Sequence, residues 1–185
     1  MEQQKITALL KEMSLDEKIN QLFQGNGMFY EGGSIATGPV SQQGFTEQTI
    51  REAGSVLSIV GAKKVKKLQK AHMENHPHGI PLVFMADIIN GYKTVFPIPL
   101  AQGAMFNPEL AKTGAEVAAR EAAASGIHVT FAPMVDLVRD ARWGRVMEST
   151  GEDAYLNSVY AKALVEGYQG EDPNAHGQIG ACVKH

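Results

Sequence analysis

The stretch Gly126–Asp153, GIHVTFAPMVDLVRDARWGRVMESTGED, decides how the rest of the chain is read. It opens as an apolar, β-rich run from Ile127 to Ala132 and breaks at Pro133. Beyond the break lie Asp136, Arg139, Asp140, Arg142, Arg145, Glu148, Glu152 and Asp153, with Trp143, the single Trp of the chain, among them. A strand that opens into a long loop of charges is the pattern of a site carried on a scaffold. The same composition also fits a solvated loop whose charges pair among themselves. Trp143, between Arg142 and Gly144, favours a carbohydrate or anion site. Aromatic faces stack on sugar rings, and Arg offers planar multi-donor recognition.

Upstream of this stretch, Asn107-Pro108 marks a helix start, with Asn as N-cap and Pro in the first turn. The Ala-rich pattern predicts a helix to about Ser125, stopped by Gly126. Before it, Phe96-Pro97-Ile98-Pro99 is excluded as a central strand, because two prolines remove ladder donors. Ile80–Ala86 is a near-continuous apolar run ending at Asp87. Such runs are the buried strands of parallel sheets. A carboxylate at the end of one is costly unless bonded, so Asp87 is either a ligand-binding group or a structural anchor.

Ser55–Val60 reads as a first strand, ended by Gly61. Residues 62–75 form a basic amphipathic helix, with Val65 and Leu68 inward and Lys63, Lys64, Lys66, Lys67 and Lys70 outward. That charge run is read as a solvated face. His72, His76 and His78 follow at a spacing a metal tolerates, but Pro77 and Gly79 make a turn and no Cys or carboxylate pattern completes a site. At the N-terminus, Ile6, Leu9, Leu10 and Met13 share a helical face, and Ser14-Leu15-Asp16-Glu17 is a capping box for a second helix with Leu15, Ile19, Leu22 and Phe23 on its apolar side. Residues 24–45 are Gly-rich and read as an irregular loop, with no Lys placed to make a phosphate cradle. Thr46 caps a short helix to Ala53. Downstream, residues 155–169 read as a helix ended by Gly170, and residues 171–178 as a connecting loop. Residues 179–183 read as a fourth apolar strand that ends in Lys184-His185.

The 185 residues are 44% apolar and 20% charged, an ordinary globular composition. A net charge of −3 implies no polyanion partner, so no nucleic acid is expected. No apolar run approaches the roughly 20 residues of a membrane-spanning helix. MEQQKITALLKEM lacks a basic region followed by an apolar core, so no secretory signal is visible and the expected location is cytoplasmic. Cys182, alone and in an apolar run, is expected to be buried and inert.

Buried-type strands alternating with helices predict an α/β fold with a parallel sheet. Asp87, Asp136 and Lys184-His185 all fall at or just after strand C-terminal ends, where both barrels and open sheets place their sites. No GxGxxG follows a strand, which disfavours a dinucleotide fold. The expectation is the first half of a TIM-like (β/α)8 barrel, since four strands are about half of eight. Half a barrel leaves unpaired edges and an uncovered apolar face, so the chain is expected to be a segment of a longer polypeptide.

Three ordered segments, GIPLVFMADIINGYKTVFPIPLAQGAMFNPEL, IHVTFAPMVDLVRDARWGRVMESTGEDAYL and ACVKH, together with the opening SLDEKINQL, resemble the N-terminal barrel domain of glycoside hydrolase family 3. The likeness is greatest to its bacterial β-glucosidase branch. The resemblance implies retaining hydrolysis of terminal β-glucosyl residues without metal or cofactor. It implies that Asp87 accepts hydrogen bonds from sugar hydroxyls, that Arg145 donates to them, and that Lys184 and His185 hold hydroxyls of the same ring. Arg142, Trp143, Glu148 and Asp153 are further candidates for substrate contact or for shaping the site. No Asp in the chain matches the family's nucleophile motif. The nucleophile, the acid/base, the remainder of the barrel and a second α/β domain are therefore expected outside residues 1–185. Asn90 stands where the family often has His, and a shifted hydrogen bond is expected there. The implied partners are a small oligosaccharide or β-glucoside and the missing C-terminal part of the same protein, with room left for a homodimer. A non-catalytic sugar-binding fragment and a phosphate-ligand barrel using Arg142, Arg145 and Lys184 are the alternatives.

Overall fold

A computed structural model of the protein describes residues 2–30, 44–172 and 175–185. The chain divides into two compact units, residues 1–84 and 85–185.

In the first unit, helix α1 (Glu2–Glu12) is followed by α2 (Leu15–Asn20). The capping box forms as expected: the Glu17 N–H donates to Ser14 Oγ, and the Ser14 N–H donates to Glu17 Oε2 at 2.7 Å. Strand β1 (Gln24–Asn26) and a one-turn helix α3 (Gly27–Tyr30) come next. Both lie in the Gly-rich stretch that the sequence reads as loop, so residues 24–30 are a correction. Most of that stretch, residues 31–43, lies outside the described residues. Helix α4 (Glu47–Arg51), capped by Thr46, leads to β2 (Ser55–Leu57), which pairs in parallel with β1 through Gln24–Ser55 and Asn26–Leu57. Helix α5 (Ala62–Asn75) buries Val65, half-buries Leu68 and leaves its five lysines exposed. Strand β3 (Val83–Ala86) crosses the division between units, and its Val83 N–H donates to Gly54 O at 2.9 Å.

The second unit holds the rest of β3, then α6 (Pro99–Ala104), α7 (Pro108–Ala124), β4 (Val129–Thr130), a 3-10 turn (Val146–Glu148), α8 (Ala154–Gln169) and β5 (Gly180–Ala181). Strands β3, β4 and β5 pair in parallel, with Met85 opposite Val129 and Val129 opposite Gly180. Helices α7 and α8 pack on each other. Buried Ala111, Ala115, Ala118, Ala119 and Ala122 make a smooth stripe on α7. Gly167 of α8 fits against it, because a Cβ there would sit 2.6 Å from Lys112 O. Close approach of two backbones spreads many small dispersion contacts over the interface.

Three further expectations are corrected. The strands number five among the described residues, not four, and each of the four expected ones is shorter than its apolar run. Cys182 is exposed, not buried: beyond β5 the run loses its cover, and Val183 is exposed beside it. Of the apolar residues expected to face inward along α1 and α2 and just beyond them, only Met13, between the two helices, is buried, while Ile6, Leu10, Leu15, Ile19 and Leu22 are exposed. The three histidines of residues 72–78 are tied into the protein. His76 Nδ1 accepts from the His78 N–H at 3.1 Å, and His78 Nε2 lies 3.3 Å from Glu17 Oε2. Among the described residues no helix is long and apolar enough to cross a membrane.

Candidate functional site

Asp87 is the first residue after β3. Its neighbour Ile88 is fixed from two sides: the Ile88 N–H donates to Oγ1 of buried Thr130 at 3.0 Å, and the Tyr168 hydroxyl donates to Ile88 O at 2.7 Å. Burial pushes the Tyr168 phenol well above its ordinary range, so it stays a donor. With the backbone pinned one residue on, the Asp87 carboxylate projects from the strand end, 48% exposed.

Beyond β4 and β5 the two chains stay paired. The Lys184 N–H donates to Pro133 O at 3.1 Å and the Val135 N–H to Lys184 O at 2.8 Å. This sets Asp136 beside Lys184-His185. The long loop is closed at its base by Ser149, fully buried, whose Oγ donates to Asp136 O at 2.7 Å. The Val138 N–H donates across the same base to Gly151 O at 3.1 Å. The 3-10 turn then brings Arg145 and Glu148 onto one side, three residues apart.

Six side chains form one continuous network. Lys184 Nζ lies 2.6 Å from Asp87 Oδ1 and 3.8 Å from Glu148 Oε2. Arg145 forks onto Glu148 through Nε and Nη2, both at 2.7 Å. Arg145 Nη1 reaches His185 Nε2 at 3.0 Å, and His185 Nδ1 lies 2.8 Å from Asp136 Oδ2. The Lys184 side chain is only 11% exposed and sits inside, while Asp87, Arg145 and His185 present edges to solvent. The Arg145 fork holds the Glu148 carboxyl below its usual range, and the same pairing raises the Arg145 guanidinium. The His185 bond holds the Asp136 carboxyl below its usual range. Carboxylates alternating with cations, with donors and acceptors both reaching solvent, suit a neutral ligand dense in hydroxyls. Charge-assisted hydrogen bonds are the strong ones, and each hydroxyl can both donate and accept.

The structure thus brings together Asp87, Arg145, Lys184, His185 and Glu148. It does not join Arg142, Trp143 or Asp153 to them. Arg142, 89% exposed, spends its guanidinium on Asp140 and holds that carboxyl below its usual range. Trp143 lines a cleft of about 500 Å³ with Asp136, Leu137, Arg139 and Asp140. Asp153 caps α8, its Oδ1 accepting from the Leu156 N–H at 2.7 Å. Asn90 donates from Nδ2 to Phe96 O at 3.0 Å and so closes its own loop. Asp136, placed at a strand end by the sequence but outside the site expected from it, joins the network through His185, 49 residues away. Its position two residues after buried Met134, on the chain running alongside Lys184, is the signal that marks it.

Residues 14–185 match the family described as Glycosyl hydrolase family 3 N terminal domain. The chain is 36% identical over 182 residues to a periplasmic β-glucosidase of Salmonella typhimurium, covering 97% of this chain and 22% of that protein. It is 36% identical to a putative β-xylosidase of Formosa agariphila, covering 99% of this chain and 26% of that one. Solved structures of a β-glucosidase from Listeria innocua superpose on the whole chain. One in complex with isofagomine gives a TM-score of 0.90 at 52% identity, and a mutant in complex with laminaribiose gives 0.91 at 51%; the chain covers 26% of each. The chain spans about a quarter of the length of these relatives. On the match of residues 14–185 to its N-terminal domain and on these identities, the chain belongs to glycosyl hydrolase family 3.

Proposed function

We propose that residues 1–185 supply the sugar-holding part of a retaining β-glucosidase, within a longer polypeptide that brings the nucleophile and the acid/base. The single observation that carries this reading is the six-residue network at the ends of β3, β4 and β5. Asp87 accepts from hydroxyls of the non-reducing glucosyl ring. Arg145 and Lys184 donate to it, and His185 contacts a hydroxyl beside them. Contacts to hydroxyls that tighten in the oxocarbenium-like transition state supply several kcal/mol in glycosidases. The chemistry asks for no metal or cofactor, because protonation of the leaving oxygen and nucleophilic attack are both carboxyl work.

The names of the Salmonella and Listeria relatives support glucose as the sugar. The Formosa relative's name supports a second reading, a β-xylosidase. The two sugars differ by one hydroxymethyl group, so discrimination of the order of 1–3 kcal/mol is what a pocket can supply. The experiment is the intact mass of the purified protein beside release of nitrophenol from the β-glucoside and the β-xyloside. A mass roughly four times 20.0 kDa, the ratio set by a chain spanning 22–26% of its relatives, is expected together with the higher kcat/KM on the glucoside. Higher kcat/KM on the xyloside would move the substrate to xylose. A 20.0 kDa protein with no turnover on either would overturn the enzyme reading and leave a sugar-binding fragment.

A further inference from the structure

His185 is held at both ring nitrogens, by partners of opposite hydrogen-bonding character. Its Nδ1 lies 2.8 Å from Asp136 Oδ2, and its Nε2 lies 3.0 Å from Arg145 Nη1. A guanidinium carries only donors, and an ionised carboxylate only acceptors. Nε2 must therefore offer its lone pair to Arg145, and Nδ1 must carry the hydrogen that Asp136 accepts. The other neutral tautomer sets two N–H groups head to head at Arg145 and two lone pairs face to face at Asp136. The doubly protonated ring satisfies Asp136 but still turns an N–H toward the guanidinium. Only one of the three ring states fits both neighbours.

The device that enforces this state is anchored behind the site. The Asp136 carbonyl accepts from buried Ser149 Oγ at 2.7 Å, and the Val135 N–H holds Lys184 O at 2.8 Å. The carboxylate and the imidazole are thus fixed on two adjacent backbones and cannot drift apart. The remaining charged groups nearby, Glu148 and Lys184, engage Arg145 and Asp87, and neither makes a hydrogen bond to the ring.

We infer that Asp136 is a positioning residue that locks His185 with its hydrogen on Nδ1, so that the Nε2 lone pair accepts from Arg145 Nη1 and holds that guanidinium in place for the sugar. The remaining Arg145 N–H groups and Lys184 then act as the donors to ring hydroxyls, and the carboxylate of Asp87 as the acceptor. This deepens the proposed function and takes the sugar from it. The division into one acceptor and two donors specifies the direction of each hydroxyl hydrogen as well as its place.

Two measurements on the full polypeptide test the inference. Neutron diffraction from deuterium-exchanged crystals at pH 7 locates the ring deuterium directly and needs no variant to fold. Deuterium on Nδ1 and none on Nε2 is expected. Deuterium on Nε2, alone or with Nδ1, overturns the assignment whether or not the protein cleaves β-glucosides. The second is a cycle of Asp136→Ala and His185→Gln, read as kcat/KM on a nitrophenyl β-glucoside. The glutamine side chain carries its own acceptor at the reach of Nε2 and has no tautomer to set. Asp136→Ala is expected to cost about 10–100-fold with His185 in place, as losses of ligand-orienting partners do. In the His185→Gln background, where no ring needs a lock, the same change is expected to cost less than about threefold. Equal costs in both backgrounds mean that Asp136 only braces the loop, and overturn the inference. Lack of turnover in the unaltered protein counts against the proposed function and leaves the neutron result standing.

Discussion

At the scale of single residues, two charged side chains that the sequence offers for the same site divide sharply by what they touch. Asp87 projects from a pinned strand end and holds Lys184 at 2.6 Å, with half its carboxylate open to a ligand. Arg142 lies on an exposed bend and is consumed by Asp140. Surface pairs of that kind contribute about 0–1 kcal/mol. Asp87→Ala removes an acceptor from the sugar subsite and leaves Lys184 with Glu148 alone. It is expected to lower kcat/KM by about 10²–10³-fold, some 3–4 kcal/mol of transition-state binding. Arg142→Ala is expected to change it by less than about threefold. Steady-state kinetics of the two variants side by side checks both, and equal losses would refute the division. Asp87 and Lys184-His185 are legible in sequence because each ends an apolar run. The pairing of Asp136 with His185 is not, because no local pattern reports a contact across 49 residues.

At the scale of elements, the ends of the helices and four of the five strands are legible in sequence, while β1 and α6 are not. Asn107 and Pro108 start α7, Ser14 and Glu17 box α2, and Thr46 caps α4, each through side-chain chemistry written in one to four residues. Strand β1 is Gln24-Gly25-Asn26, with no apolar alternation to betray it. Helix α6 is hidden because Pro99 reads first as a strand breaker, although Pro in the first turn also starts helices. That helix bears on the site. At Gly103 an added Cβ would lie 2.1 Å from Thr150 O, next to the Ser149 that anchors Asp136. Gly103→Ala must push α6 off this loop and is expected to destabilise by about 1–3 kcal/mol and to weaken activity with it, measured by thermal unfolding and kinetics. Helix α5 carries a pH effect. His72 is buried near His76, and burial first, then the charge of His76, brings its pKa down from 6.5 to about 4. The groups around this cluster are His76, His78, Glu17, Glu52 and Arg51. A depressed folded-state pKa means that the folded protein favours the neutral ring. The stability this represents is whole above pH 6.5 and drains as pH falls toward 4. Between pH 7 and 5 the loss from His72 is expected to be about 1–2 kcal/mol, and His72→Leu should remove that part of the slope. An unchanged slope in the variant would assign the pH dependence elsewhere.

At the scale of the molecule, what the chain leaves uncovered decides how it behaves alone. In the first unit Ile6, Leu10, Leu15, Ile19 and Leu22 are exposed, and in the second Val95, Phe106, Leu110, Tyr155 and Val183 are. Scattered exposed apolar residues are normal on any surface, but here two successive helices, α1 and α2, turn an apolar side to water, and only Met13 between them is buried. Full burial of a large apolar side chain contributes about 1.5–3 kcal/mol. Ten such side chains left largely in water forgo a sum of the order of 10–20 kcal/mol, comparable with the whole net stability of a domain at about 5–15 kcal/mol. Residues 1–185 produced alone are therefore expected to melt without a cooperative transition and to bind a hydrophobic dye. The same residues within a polypeptide about four times as long, as in the relatives they match, are expected to melt cooperatively without binding it. Circular dichroism melts and dye fluorescence on the two proteins make the comparison. A sharp, dye-free melt of the short chain would mean that its packed interior, led by the α7–α8 interface and the buried Tyr160 and Tyr168, suffices by itself.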